Sequence, residues 1–393
     1  MSYYGDWIAS GDFTHVNFWD IDHEATRGQL TQASCDLVGS ICCAPHFRYL
    51  VVSETSLPES SSRFLVMATQ GKDDLDAWKE PTLYSIHQSS FRERRIITFA
   101  CYSSSKLAFI SEDGIMNAMD VLDLDYIQRV DHDVGIKASH MIRPGRFAIS
   151  ANEYWLADWH RPGSMLVWNL STDLPSLHSR YVFPMTHVSS LEAEGEEYVA
   201  ATFDCHSASL VAVSDRPMVW SWNVASGIPL RRPARLRDAP GLTLHSRAVF
   251  SRHGMRLGWI PEPTVHPDDV SRAKHVGLGA HVVMVLDLST PTRLPRPIAL
   301  RGHSDRIHAF AFSSDGHFVA TASADKTVRL WRTTDGRCLE TFTEHNTEVT
   351  HVVISENGRV LASGAKDGTV RVRKMERVLL RDAKNGYYAG WEV

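Results

Sequence analysis

No run in this 393-residue chain approaches the roughly 18 consecutive apolar residues that a membrane-spanning helix needs. Its first residues, Met1-Ser2-Tyr3-Tyr4-Gly5-Asp6-Trp7, lack the basic and apolar regions of a secretory leader. A membrane partner is therefore not expected. Cysteine is sparse: Cys35, Cys42, Cys43, Cys101, Cys205 and Cys338 are scattered, with no Cys-x-x-Cys pair. That pattern excludes the usual zinc spacings and fits reduced thiols, so cytoplasm and nucleus are the expected compartments. Positive charge is in deficit, because 41 Lys and Arg face 46 Asp and Glu, for a formal net charge of −5 and a pI near 6.5. Nucleic acid is consequently not the default partner. Also missing are a glycine-rich phosphate loop, a kinase signature set and His-Glu-x-x-His, so neither cofactor nor metal is expected.

What is present is ordinary in composition and unusual in order. Hydrophobic residues make up 43% and charged residues 22%, enough apolar side chain for a large core. Between Leu300 and Arg373 a pattern is written twice. The first copy holds Gly302-His303, Asp315-Gly316, Asp325 and Trp331; the second holds His345, Asn357-Gly358, Asp367 and Arg373. Matched positions differ by one number: 345−303, 358−316, 367−325 and 373−331 all give 42. A period of about 40 to 45 residues with a Gly-His start and a Trp-containing end is the signature of a four-stranded propeller blade. The chain here resembles the WD-repeat family, with Trp331-Arg332 standing where that family usually has Trp-Asp.

Short apolar alternations that suit a blade's third strand recur at 15–21, 63–68, 115–122, 164–170, 218–224, 281–286, 327–331 and 369–373. The expected fold is all-β, a WD-repeat β-propeller of four-stranded blades in one domain spanning 1–393. The tally favours eight blades, and seven is the commoner family number. Residues Pro261 to Ala280, rich in Pro, Asp and Gly, read as a long loop insertion, the kind of excursion where partners bind. The chain opens as if in mid-blade, so the resemblance implies a ring closed by both ends, with Tyr387 to Val393 beside the N-terminal strands. Arg231, Arg232, Arg235 and Arg237 fall in a proline-containing stretch that reads as an interblade loop, and His132, between two aspartates, also reads as loop.

His303, Ser323 and Asp325 are the residue types of a serine hydrolase. The resemblance implies a different use, in which they join Trp331 in a buried hydrogen-bonded brace across the blade's strands. A catalytic triad needs an accessible nucleophile and an oxyanion hole, which a buried brace does not offer. In the second copy His345 and Asp367 remain, while Glu344, Ala365 and Arg373 replace Gly302, Ser323 and Trp331, so that brace is expected to be incomplete.

Family members generally bind proteins or peptides near the channel mouth, through residues that begin the first strand and the residue before the turn Asp. Carried onto the two copies, these are Arg306, His308 and Ala324, then Glu348, Thr350 and Lys366. The favoured expectation is a non-catalytic scaffold or adaptor with protein or peptide partners. One alternative is a propeller enzyme or small-ligand binder with its site at the channel mouth. Another is a substrate receptor of a ubiquitin ligase, although Trp19-Asp20-Ile21-Asp22 ends in Asp where one such class carries Arg.

Overall fold

The computed structural model describes the backbone of the strands within residues 7–184, a few side chains between 148 and 167, and most of residues 197–378 apart from 244–246, 263–279 and 290–295. The described strands form eight antiparallel sheets. They divide between two compact units, Met1–Pro184 and Met185–Val393. The first unit contains a three-stranded sheet at 7–31 and four-stranded sheets at 37–85, 96–133 and 147–184. The second contains four-stranded sheets at 198–235, 248–300 and 307–342, and a three-stranded sheet at 349–374. No helix among the described residues is long and apolar enough to cross a membrane.

Each stretch expected as a third strand is a strand: His15–Asp20, Ser62–Ala68, Ile115–Asp120, Ser164–Asn169, Met218–Asn223, Val283–Asp287, Val328–Arg332 and Val370–Lys374. In the four-stranded sheets it occupies the third place. Two expectations of loop need correction. Ala234–Arg235 is the short fourth strand of its sheet, paired with Met218 and Val219, and Pro229 already bridges Trp222. A proline tolerated at a sheet edge, where its missing N–H costs no ladder bond, explains how so proline-rich a stretch can still be strand. His132 likewise lies in the strand Ile127–Asp133, whose β-branched Ile127 and Val130 suit a pleated surface. Most of the 261–280 excursion and all of Tyr387 to Val393 lie outside the described residues.

Alternation explains how the sheets pack. Phe318–Ser323 is buried at every position, and successive side chains of a strand point to opposite faces. Phe318, Ala320 and Ala322 enter a cluster with Val328, Leu330, Val349, Val352 and Leu361 of the following sheet and their own. Val319 enters another with Val283, Val285, Leu300 and Trp331. One strand thus serves two layers, and each fully buried large aliphatic side chain contributes about 1.5 to 3 kcal/mol.

Two local devices recur and position the site. Asp315-Gly316 and Asn357-Gly358 form turns in which the glycines adopt φ of 72° and 69°, a conformation cheap only without a Cβ. At the start of the first strand the register slips by one residue. Ile307 pairs with Ser323 but Ala309 with Ala322, leaving His308 unopposed. Val349 pairs with Ala365 but His351 with Gly364, leaving Thr350 unopposed. A bulge of this kind re-aims the extra side chain.

Candidate functional site

The buried polar group of the 307–342 sheet runs through a residue that the motif did not single out. His303 Nδ1 lies 2.7 Å from Asp325 Oδ2, and His303 Nε2 lies 2.6 Å from Thr321 Oγ1. The Trp331 indole N–H donates to the same Thr321 oxygen at 2.8 Å. Thr327 Oγ1 donates to the other Asp325 oxygen at 2.7 Å. The tautomer that satisfies every partner has its proton on Nδ1, giving one directional chain: indole to threonine, threonine to imidazole, imidazole to carboxylate. Burial is the main force holding the His303 pKa below the usual histidine value, against the Asp325 carboxylate, which acts to raise it. The same bonds from Thr327 and His303 outweigh desolvation at Asp325 and hold its carboxyl low.

Ser323 has other partners than the ones expected of it. Its hydroxyl lies 3.0 Å from the backbone carbonyls of both Asp305 and Arg306, and its oxygen accepts the Asp325 N–H at 3.1 Å. The reason is positional. Thr321 and Ser323 share a strand face, but Thr321 stands level with the imidazole and the indole while Ser323 stands at the turn. Fully buried and bonded to main chain, Ser323 is not placed as a nucleophile for His303.

The second copy keeps the hydroxyl where the first has Thr321. Ser363 Oγ lies 2.8 Å from His345 Nε2, and 363−321 again gives 42. Ala365 therefore removes nothing from the chain of bonds. Asp367 reaches His345 only through Thr369, whose Oγ1 is 3.3 Å from Nδ1 and donates to Asp367 Oδ1 at 2.7 Å. What the second copy does lack is the indole, and its replacement is coupled to another change. At Gly302 an added Cβ would meet Arg329 Nη1 at 2.7 Å and Trp331 Cη2 at 3.1 Å, so a side chain there would crowd both the guanidinium and the indole. Where Arg373 stands instead, Glu344 occupies the glycine position and pairs with the guanidinium, which also lies 4.7 Å from the Phe342 ring centre in the preceding sheet.

The candidate partner-binding residues gather at the start of the first strands. Ala324 N–H donates to the Arg306 carbonyl at 2.8 Å, and Lys366 N–H to the Glu348 carbonyl at 2.9 Å, so each turn residue is tied to the strand entrance beside it. His308 Nε2 lies 3.2 Å from Glu348 Oε2 across two sheets, and Lys366 Nζ lies 3.8 Å from Glu348 Oε1. Thr350 donates to the Gly364 carbonyl at 3.2 Å and stands 2.9 Å from His351 Nδ1. Arg306 is exposed. Two further residues join this group without having been legible in the motif. Arg247, the residue before the first strand of the preceding sheet, donates to the His308 carbonyl. His351 has its pKa held down, first by burial and then by the Arg247 and His308 charges. Among the described residues, no group of three or more His, Cys, Asp or Glu stands where it could hold a metal.

The family model described as "WD domain, G-beta repeat" matches residues 296–332 and 336–373. The chain carries two WD repeats over these residues. Its four-stranded antiparallel sheets are WD-repeat β-propeller blades. Similar curated proteins include "Periodic tryptophan protein 2 homolog" of Caenorhabditis elegans, 38% identical over 77 residues, 20% of this chain and 8% of that protein. "Eukaryotic translation initiation factor 3 subunit I" of Aspergillus niger is 35% identical over 77 residues, 20% of this chain and 23% of that protein. "Pre-mRNA-processing factor 19 homolog 2" of Arabidopsis thaliana is 41% identical over 73 residues, 18% of this chain and 14% of that protein. The matched part of the chain thus spans less than a quarter of each relative. In WD-repeat terms, the signal for His351 was available as the 42-residue partner of Ala309. That for Arg247 was hidden because the 261–280 excursion breaks the spacing.

Proposed function

We propose that this protein is a non-catalytic adaptor that holds partner proteins in the cytoplasm or nucleus, using the first-strand entrances of its blades. The observation that carries this reading is the arrangement of His308, Glu348 and Lys366. Charged groups from neighbouring blades meet at a solvent-facing edge, while the His, Asp, Thr and Trp set is buried and engaged with itself. The second set has the partners of a brace, since each buried polar group finds one within the blade. Two of the relatives are by name a subunit and a processing factor, which accords with work in assemblies.

The test exchanges charge at matched places. Arg306→Glu and Glu348→Arg, made singly and together, are compared with the wild type in affinity capture from native extract after chemical cross-linking. Loss of specific captured proteins, with circular dichroism and thermal midpoint unchanged, is the expected outcome. An unchanged set of captured proteins in all three variants overturns the assignment of this edge.

A further inference from the structure

The two most exposed large apolar side chains among the described residues stand two positions apart on one segment. Ile228 and Leu230 are 64% and 55% exposed. They lead into the fourth strand of the 198–235 blade, at the opposite edge of that sheet from its first strand. Between them Pro229 bridges Trp222. The segment is fixed on both sides of the bridge: Asn223 N–H donates to the Ile228 carbonyl and Leu230 N–H to the Ser221 carbonyl, each at 2.9 Å. The turn before it is closed by Gly227 N–H on the Asn223 carbonyl and by Ser226 N–H on the Asn223 side-chain oxygen, again at 2.9 Å. Residues two apart on a paired segment share a face, so the two aliphatic side chains project side by side into water. Covering each is worth about 1.5 to 3 kcal/mol.

Those bonds leave the backbone of residue 229 turned away from the sheet, and a proline there has no N–H to offer. Addition of a partner strand along this edge is thereby opposed, and docking falls to the side chains. Their sequence neighbourhood is basic. Arg231, Arg232, Arg235 and Arg237 follow within seven residues of Leu230, with Asp238 the one carboxylate before Pro240, in a chain whose net charge is −5. Arg232 and Arg235 are exposed. An exposed aliphatic pair next to a run of arginines is complementary to a segment that joins an apolar side chain to carboxylates. A nucleic-acid backbone would satisfy the arginines and leave the aliphatic pair uncovered.

We infer that residues 228–235 form a docking edge for an acidic amphipathic segment of a partner protein, with an aliphatic or aromatic side chain against Ile228 and Leu230 and carboxylates on Arg232 and Arg235. The inference rests on the adaptor reading and adds a second surface to it. The first surface uses first-strand entrances and this one a fourth strand, so a partner on either leaves the other open. The two parts of the contact respond differently to salt: the arginine–carboxylate part is screened, and the aliphatic part is not. Binding therefore weakens with salt without vanishing.

The probes are synthetic decapeptides carrying one Leu or Phe flanked by Asp and Glu, beside the same set with Asn and Gln in place of the acids. Binding to the full-length protein is read by fluorescence anisotropy at low and at high salt. The expected result is that acid peptides bind about tenfold more tightly than their amide counterparts at low salt. Ile228→Ser with Leu230→Ser should weaken binding about tenfold at either salt. Arg232→Gln with Arg235→Gln should weaken it about fivefold at low salt and remove most of the salt dependence. All four positions are exposed, so circular dichroism should be unchanged in both double variants. Equal binding of acid and amide peptides, binding of neither, or an affinity indifferent to either double variant each overturns the inference. So does binding of single-stranded RNA or of phosphatidylserine vesicles that the double variants abolish while the peptides fail, which would assign the edge to nucleic acid or lipid. If the peptides fail while the Arg306 and Glu348 exchanges still alter captured proteins, the adaptor reading stands and only this second surface falls.

Discussion

A single threonine decides how the polar centre of the 307–342 blade works. Thr321 receives the indole proton of Trp331 and gives its own to His303, so its hydroxyl is both acceptor and donor inside a fully buried position. Replacing it by valine preserves shape and strands both neighbours without a partner. The expected loss for Thr321→Val is about 1 to 3 kcal/mol, the cost of leaving buried polar groups unsatisfied. His303→Ala should lose a similar amount, and more than His345→Ala, because Asp325 bonds the first imidazole directly whereas Asp367 bonds the second only through Thr369. Chemical denaturation of the three variants measures the order; His345→Ala as costly as His303→Ala would contradict it. His303, Asp325 and Trp331 were legible because turn and strand-end residues carry the repeat's spacing. Thr321 was not, since a threonine in an apolar strand looks like any β-branched filler until the fold brings the two rings to it.

Elements show the same division between what spacing reveals and what only packing reveals. The third strands stand out in the sequence because alternation over five or six residues is a strong local signal. The fourth strand of the 198–235 blade was read as loop because it is two residues long and flanked by prolines. Likewise the bulge that frees His308 and Thr350 leaves no mark in composition. The turn after Asp325 gives a sharper case. Lys326 adopts φ of 69°, a left-handed conformation that disfavours a Cβ, and its 42-residue partner is Gly368 at 81°. Since glycine enters this region without penalty but costs more entropy on folding, Lys326→Gly should be neutral to stabilising by up to about 1 kcal/mol. Gly368→Lys should destabilise by a comparable amount. Thermal midpoints of the two variants check this, and a clear loss in Lys326→Gly would show that the lysine side chain makes a contact worth more than the strain.

For the molecule as a whole, the buried imidazoles and the bonded carboxylates bias stability in one direction along the pH scale. His303, His345 and His351 have pKa values lowered from 6.5, chiefly by burial. The unfolded chain therefore binds more protons than the folded one once pH drops below about 6.5, and stability falls as pH falls. Their contribution is complete above 6.5 and is lost as pH passes down through the folded values. Asp287, Asp325 and Asp335 have pKa values lowered from 3.8, so their contribution is complete above 3.8 and is lost in a second, more acidic limb. The expected profile of thermal midpoint against pH is a plateau near neutrality, a first decline below 6.5 and a steeper one below 3.8. Because the chain contains 20 histidines, the deciding comparison is His303→Gln, whose first decline should be shallower than that of the wild type even though its plateau is lower. An imidazolium paired with Asp325 in the folded state makes the opposite prediction, with stability rising as pH approaches 6. A wild-type midpoint that climbs between pH 7.5 and 6, and a His303→Gln midpoint that does not, would establish that pairing and remove the neutral imidazole from the centre of the blade.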